Sequence, residues 1–120
     1  MRNARLLIVP ALLTHLGGCA YFFPVYAGGY SWFDGWREGK VLAVGIQLPV
    51  RPTAFDCRDK IGPRPPEQLY AEVTYQRSPR RREFQIVPIR VDQGVKADDL
   101  VYLKAWDCEA ELSRREGGHN

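Results

Sequence analysis

The chain has 120 residues, 45% of them hydrophobic and 26% charged, with 14 aromatic residues and a formal charge of +3. That is enough chain for one small domain and too little for a multidomain enzyme. Ordinary apolar content, with Gly and Pro together making up 20 residues and no repeat, excludes collagen-like and disordered classes.

The chain opens with Arg2 and Arg5 and no acid, followed by an apolar stretch from Leu6 to Leu16 interrupted by Pro10, Thr14 and His15. Charge order and length are those of a secretory leader. At about 1.5 Å of rise per residue the stretch is too short to cross a bilayer core of about 30 Å. It ends at Leu16-Gly17-Gly18-Cys19, which resembles the lipobox of bacterial lipoprotein precursors. The resemblance covers residues 1–20. It implies a signal peptide over 1–18, lipidation of Cys19 with palmitate among the acyl chains, and membrane attachment through that anchor. By the same resemblance Ala20, standing where Asp would retain the protein in the inner membrane, implies the periplasmic face of a Gram-negative outer membrane. Gly18 and Ala20 also form a small-x-small site, at which ordinary signal peptidase would discard Cys19 and release the protein.

If Cys19 carries lipid, Cys57 and Cys108 are the two thiols left, and an oxidising compartment would join them as a disulfide. Closing that loop stabilises a fold by roughly 4 kcal/mol in the chain-entropy model. Two buried free cysteines are the alternative. With no Cys-x-x-Cys pair, thiol-disulfide catalysis is not indicated.

Residues 19–40 read as a lipidated, aromatic-rich segment ahead of a small β-rich domain over 41–116 and a disordered tail at 117–120. Tyr21, Phe22, Phe23, Tyr26, Tyr30, Trp32, Phe33 and Trp36 all lie in the first segment, which Gly28-Gly29, Asp34-Gly35 and Gly39 break into turns. Three readings stay open for these rings. They complete the domain core, they form an interfacial belt near the anchor that rests on headgroups or on a partner protein through Tyr30, Trp32, Phe33 and Trp36, or Tyr30, Trp32 and Trp36 stack on a glycan.

From Val41 to Val50 every even position is large and apolar (Leu42, Val44, Ile46, Leu48, Val50), which predicts a strand with that set buried. Residues 51–67 form a proline-rich loop holding Cys57. A second strand is predicted over Leu69 to Gln76, with Leu69, Ala71, Val73 and Tyr75 inward, and a third over Phe84 to Val91, where Pro88 requires a bulge or an edge. Between them Arg77, Arg80, Arg81 and Arg82 crowd a hairpin tip. They are a candidate anion contact for lipid headgroups, peptidoglycan carboxylates or an acidic protein.

Asp98 to Arg115 carries helical spacing in Val101, Ala105, Cys108 and Leu112, yet also the β-formers Val101-Tyr102-Leu103. Asp98-x-Leu100-x-Tyr102 resembles the tyrosine corner of immunoglobulin-like sandwiches. The expected fold is therefore mainly β, a small antiparallel β-sandwich-like domain of immunoglobulin or fibronectin III type. An α+β fold with a C-terminal helix is the alternative.

Catalytic groups are sparse. Beyond the leader the one histidine is His119, and Ser31, Ser78 and Ser113 stand in no nucleophile elbow. Asp107, Glu109 and Glu111 alternate as a solvated strand face would, and Asp56 with Asp59 and Asp98 with Asp99 complete the carboxylate pairs. No enzyme, cofactor or metal is expected. Removing Arg2 and Arg5 leaves 15 basic against 14 acidic side chains, a balance that argues against nucleic acid. The expected function is a lipid-anchored structural or assembly accessory that binds another envelope protein. A periplasmic lipoprotein that binds a small ligand or a glycan is the alternative.

Overall fold

The computed structural model describes residues 24–115. Cys19, the leader and the 117–120 tail lie outside the described residues. The fold is mainly β, sandwich-like, and built from two sheets. A ribbon pairs β1 (Val25–Tyr26) with β2 (Tyr30–Ser31). Six further strands form one sheet: β3 (Trp36–Gly45), β4 (Phe55–Asp56), β5 (Leu69–Ser78), β6 (Arg81–Ile89), β7 (Leu100–Lys104) and β8 (Ser113–Arg114). Their order is β4-β6-β5-β3-β7-β8, antiparallel except for the short β4–β6 contact. Residues 98–115 thus form two strands joined by turns, and the alternative with a C-terminal helix does not apply.

One face of the large sheet holds the core. Val41, Ala71, Val73, Tyr75, Val87, Ile89, Val101 and Leu103 project from it, and Cys57, Val95 and Leu112 close over them from the connecting segments. The inward set predicted for the second strand is right for Ala71, Val73 and Tyr75, each fully buried. Cys57 and Cys108 are joined in a disulfide with Cα atoms 5.6 Å apart.

Of the even positions from Leu42 to Val50, Val44 packs against the core and Leu48 is half-buried, whereas Leu42, Ile46 and Val50 are 38%, 49% and 78% exposed. The strand begins at Trp36 and ends at Gly45, and Val41 is its fully buried residue. A bulge takes Leu42 out of the set, and the end of the strand at Gly45 takes out Ile46 and Val50. Val41 pairs with Val73 and Ala43 with Glu72, so Leu42 is an extra residue that reverses which positions face the core. Beyond it Val44 pairs with Ala71 and packs against the core.

Gly39 was expected in a turn. It lies instead inside β3, where an added Cβ would stand 2.7 Å from Val73 Cγ1 and 2.9 Å from Leu103 Cδ2. Gly28, Gly29 and Gly35 do turn the chain, each at positive φ. Pro88 lies past the end of β4, where β6 has a neighbour on one side only, as an edge proline requires. The Tyr102 ring stacks with Tyr26 and Tyr30 at 5.3 and 5.1 Å, and this contact lays the β1–β2 ribbon on the sheet face opposite the core. Asp107, Glu109 and Glu111 share no strand face. The Asp107 side chain accepts from the Glu109 and Ala110 amides in a turn, and Glu111 pairs with Arg90.

A candidate groove at one end of the sheet

Local chemistry sets the N-terminal side of the groove. Ser31 Oγ accepts the Phe33 amide and opens a 3-10 turn over Trp32–Asp34, which Gly35 closes at φ 96° with its amide on the Trp32 carbonyl. The Trp32 amide donates to the Pro24 carbonyl at 3.0 Å, tying the turn back to the first described residue. Arg37 then locks Trp32. Its guanidinium lies 3.3 Å from the indole centroid, and Nη1 donates to the Trp32 and Trp36 carbonyls at 2.9 and 2.8 Å. Burial pushes the Arg37 guanidinium below the usual arginine range, and its Nε has no hydrogen-bond partner among the described residues.

The other side is the β5–β6 hairpin. Its turn is reached through a bulge between Gln76 and Ser78, and the Gln76 side chain donates to the Pro79 carbonyl at 2.8 Å. Pro24, Tyr26 and Trp32 on one side face Ser78, Pro79 and Arg82 on the other, with Glu38 and Gln76 also lining an open groove of about 470 Å³. Burial, reinforced by Glu38, raises the Tyr26 hydroxyl above the ordinary tyrosine value, so it stays a neutral donor at physiological pH.

The four predicted aromatic residues divide by role. Tyr30 and Trp36 belong to the fold: their rings are 4.5 Å apart, and the Tyr30 hydroxyl donates to Ser113 Oγ at 3.0 Å. Trp32 lines the groove, and Phe33 is 73% exposed beside it.

The arginines divide too. Arg77 turns toward the core-side face, where it pairs with Glu83 at 3.0 Å and stacks on Trp106 at 4.2 Å. Arg82 lines the groove and donates Nε to Thr74 Oγ1 at 3.3 Å, while Arg80 and Arg81 are exposed at the turn.

Glu38, Gln76, Arg37 and Trp106 were missed. Strand registers bring Arg37, Glu38 and Gln76 to this end, and the Ala105 amide on the Gly35 carbonyl brings Trp106, so no local spacing could have marked them. Trp106 carries one weak signal, a bulky residue just after a strand. In the structure it adopts positive φ (60°), and its amide donates to the buried Gln85 Oε1 at 3.0 Å. Gln85 Oε1 also accepts the Tyr75 hydroxyl at 3.4 Å, and Nε2 donates to the Lys104 carbonyl.

Of the carboxylate pairs, Asp56 is committed to Arg58 at 2.6 Å, which holds its carboxyl below the usual range. Asp99 accepts the Lys96 amide and faces Arg114, and Asp98 faces Lys40. Among the described residues no three His, Cys, Asp or Glu side chains gather as a metal site, and no helix is long and apolar enough to cross a membrane. The chain matches no protein-family model, no curated protein and no solved structure.

Proposed function

We propose that this chain is a lipid-anchored accessory of the outer membrane, held at the periplasmic face through Cys19, and that it grips a segment of another envelope protein in the groove between Trp32 and Arg82. The observation that supports this reading is the groove itself. Rings from the N-terminal segment and a cation from the hairpin tip, far apart in sequence, face each other across a cleft of about 470 Å³. Aromatic and arginine side chains carry the largest share of binding energy in protein interfaces, at about 2 kcal/mol or more for a fully desolvated anchor. Gln76 and Ser78 add hydrogen-bonding groups at the rim.

The test is co-purification from detergent-solubilised envelope. Trp32→Ala with Arg82→Ala should abolish recovery of a stoichiometric protein partner while circular dichroism stays that of the wild type. Trp36→Ala should instead lower thermal stability, since its ring packs on Tyr30. One observation favours a second reading: Glu38, Gln76 and Arg82 set planar polar groups around Trp32, a side-chain set that suits a glycan. Binding of purified protein to isolated peptidoglycan or oligosaccharide, lost in the Trp32→Ala variant, would select that reading over a protein partner.

A further inference from the structure

The groove occupies only part of one end of the sheet, and the rest of that end is unusual in composition. The strand registers collect there the N-terminus of β3, the C-terminus of β7 and the β5–β6 turn: Trp36 pairs with Lys104, and Ser78 with Arg81. The Ala105 amide donates to the Gly35 carbonyl, which fixes the 32–35 and 105–107 turns side by side. All three tryptophans of the chain, Trp32, Trp36 and Trp106, therefore lie at this one end. Phe33 and Trp106 are 73% and 48% exposed. Arg80 and Arg81 project beside them, and among the described residues neither has an ion-pair partner.

Chain entry is at the same end. Pro24 lines the groove with Ser78 and Pro79, and it stands five positions after Cys19 in the sequence. Fully extended, that connection spans about 17 Å. A lipid on Cys19 would hold this end, rather than the opposite one, within reach of the headgroup layer. Indole rings favour that layer, where an apolar body and a polar N–H are both satisfied, and arginines favour it when phospholipids carry negative charge.

We infer that the end of the sheet bearing Phe33, Trp106, Arg80 and Arg81 is a docking face that rests on the anionic phospholipid surface to which the chain is anchored. This inference rests on the lipid-anchor reading proposed above. It gives the anchored domain one orientation: the hairpin tip lies at the headgroups, and the groove opens along the bilayer surface. A groove held in that position meets segments of membrane proteins just as they leave the bilayer.

The test uses the full lipoprotein reconstituted into vesicles of phosphatidylethanolamine with about a quarter phosphatidylglycerol, whose charge supplies the surface potential. The lipids carry bromine on the acyl carbons nearest the headgroup. Because every tryptophan lies at the proposed face, intrinsic fluorescence should be quenched in these vesicles and recover in neutral phosphatidylcholine vesicles carrying the same label. Arg80→Glu with Arg81→Glu should shift the docked-to-undocked ratio by well over tenfold, at roughly fivefold for each arginine charge at an anionic surface. Added salt should release the wild type in the same way, a readout that holds even if the double variant folds poorly. Flotation keeps the two readings apart. Protein that floats with the vesicles while its tryptophans stay unquenched, or are quenched equally in neutral and anionic lipid, overturns the docking face and leaves the anchor standing. Protein that fails to float overturns the anchor and the docking built on it.

Discussion

At Gly39 the sheet has no room for a methyl group. The position is buried, pairs with Tyr75 on one side and Val101 on the other, and a Cβ there would press on Val73, Leu103 and the Thr74 carbonyl at once. Backbone oxygen and two core side chains cannot all retreat, so Gly39→Ala should cost about 1 to 3 kcal/mol by overpacking, with the melting temperature lowered by roughly 5 to 15 °C. A melt indistinguishable from the wild type would show that the core is looser than this geometry. Tyr75 makes a second residue-level case. Burial first, then Glu83, pushes its hydroxyl up to about 12 from the ordinary tyrosine value of 10.0. The native state thus holds its proton more tightly than the unfolded chain does. The corresponding stability is fully present below pH 10 and is lost as pH rises from about 10 to about 12, by about 2 to 3 kcal/mol in all. Tyr75→Phe removes a proton that the unfolded chain would otherwise release, so its stability should fall less steeply over that window in denaturant titrations. Tyr26, also raised, keeps the slope from vanishing.

At the scale of elements, the bulge at Leu42 decides which side chains matter. The alternation in residues 42–50 is regular enough to be read as one buried face, yet only Val44 of it packs against the core: Leu42 is the unpaired bulge residue, and the strand ends at Gly45, before Ile46, Leu48 and Val50 could join it. A bulge is set by the partner strand, where Val73 and Glu72 receive Val41 and Ala43, and that information is not local to the segment that bends. The substitutions that follow are opposite to those the alternation suggests. Ile46→Ser and Val50→Ser should change stability by about 0.5 kcal/mol or less, whereas Val41→Ala, at a fully buried position, should cost about 1 to 3 kcal/mol. Chemical denaturation of the three variants checks the order. The second strand was legible because its alternation runs unbroken through Ala71, Val73 and Tyr75, and the hairpin because Ser78-Pro79 between two β-rich runs carries its own turn chemistry. The aromatic segment was legible as composition only. That Tyr26, Tyr30 and Trp36 would be spent on the fold while Trp32 is left to line a groove depends on Tyr102 and the hairpin tip, which lie far away in sequence.

For the whole molecule the question is what holds the long connections against a single sheet. Residues 46–68 and 105–112 contain little regular structure beyond β4 and a 3-10 turn, yet they supply Cys57, Leu112 and Cys108 to the core or its margin. Such segments lose chain entropy on ordering without a full ladder of backbone hydrogen bonds to offset it. The Cys57–Cys108 bond joins them directly across 51 positions of sequence, and its main effect is to shrink the unfolded ensemble. Stabilisation of roughly 4 kcal/mol is a large share of what a domain of this size has to spare. Cys57→Ala with Cys108→Ala should therefore lower the melting temperature by well over 10 °C. Reduction of the wild type should give a similar drop without altering any side-chain volume, which separates the cross-link from the packing of Cys57 in the core. Hydrogen exchange should locate the loss, with amides at 55–61 and 105–112 losing protection well before those of β3, β5 and β6, whose mutual pairing does not pass through the disulfide. Two alkylatable thiols in native protein taken from an oxidising compartment, or a double-alanine variant that melts with the wild type, would show that the sheet alone is sufficient to hold these connections.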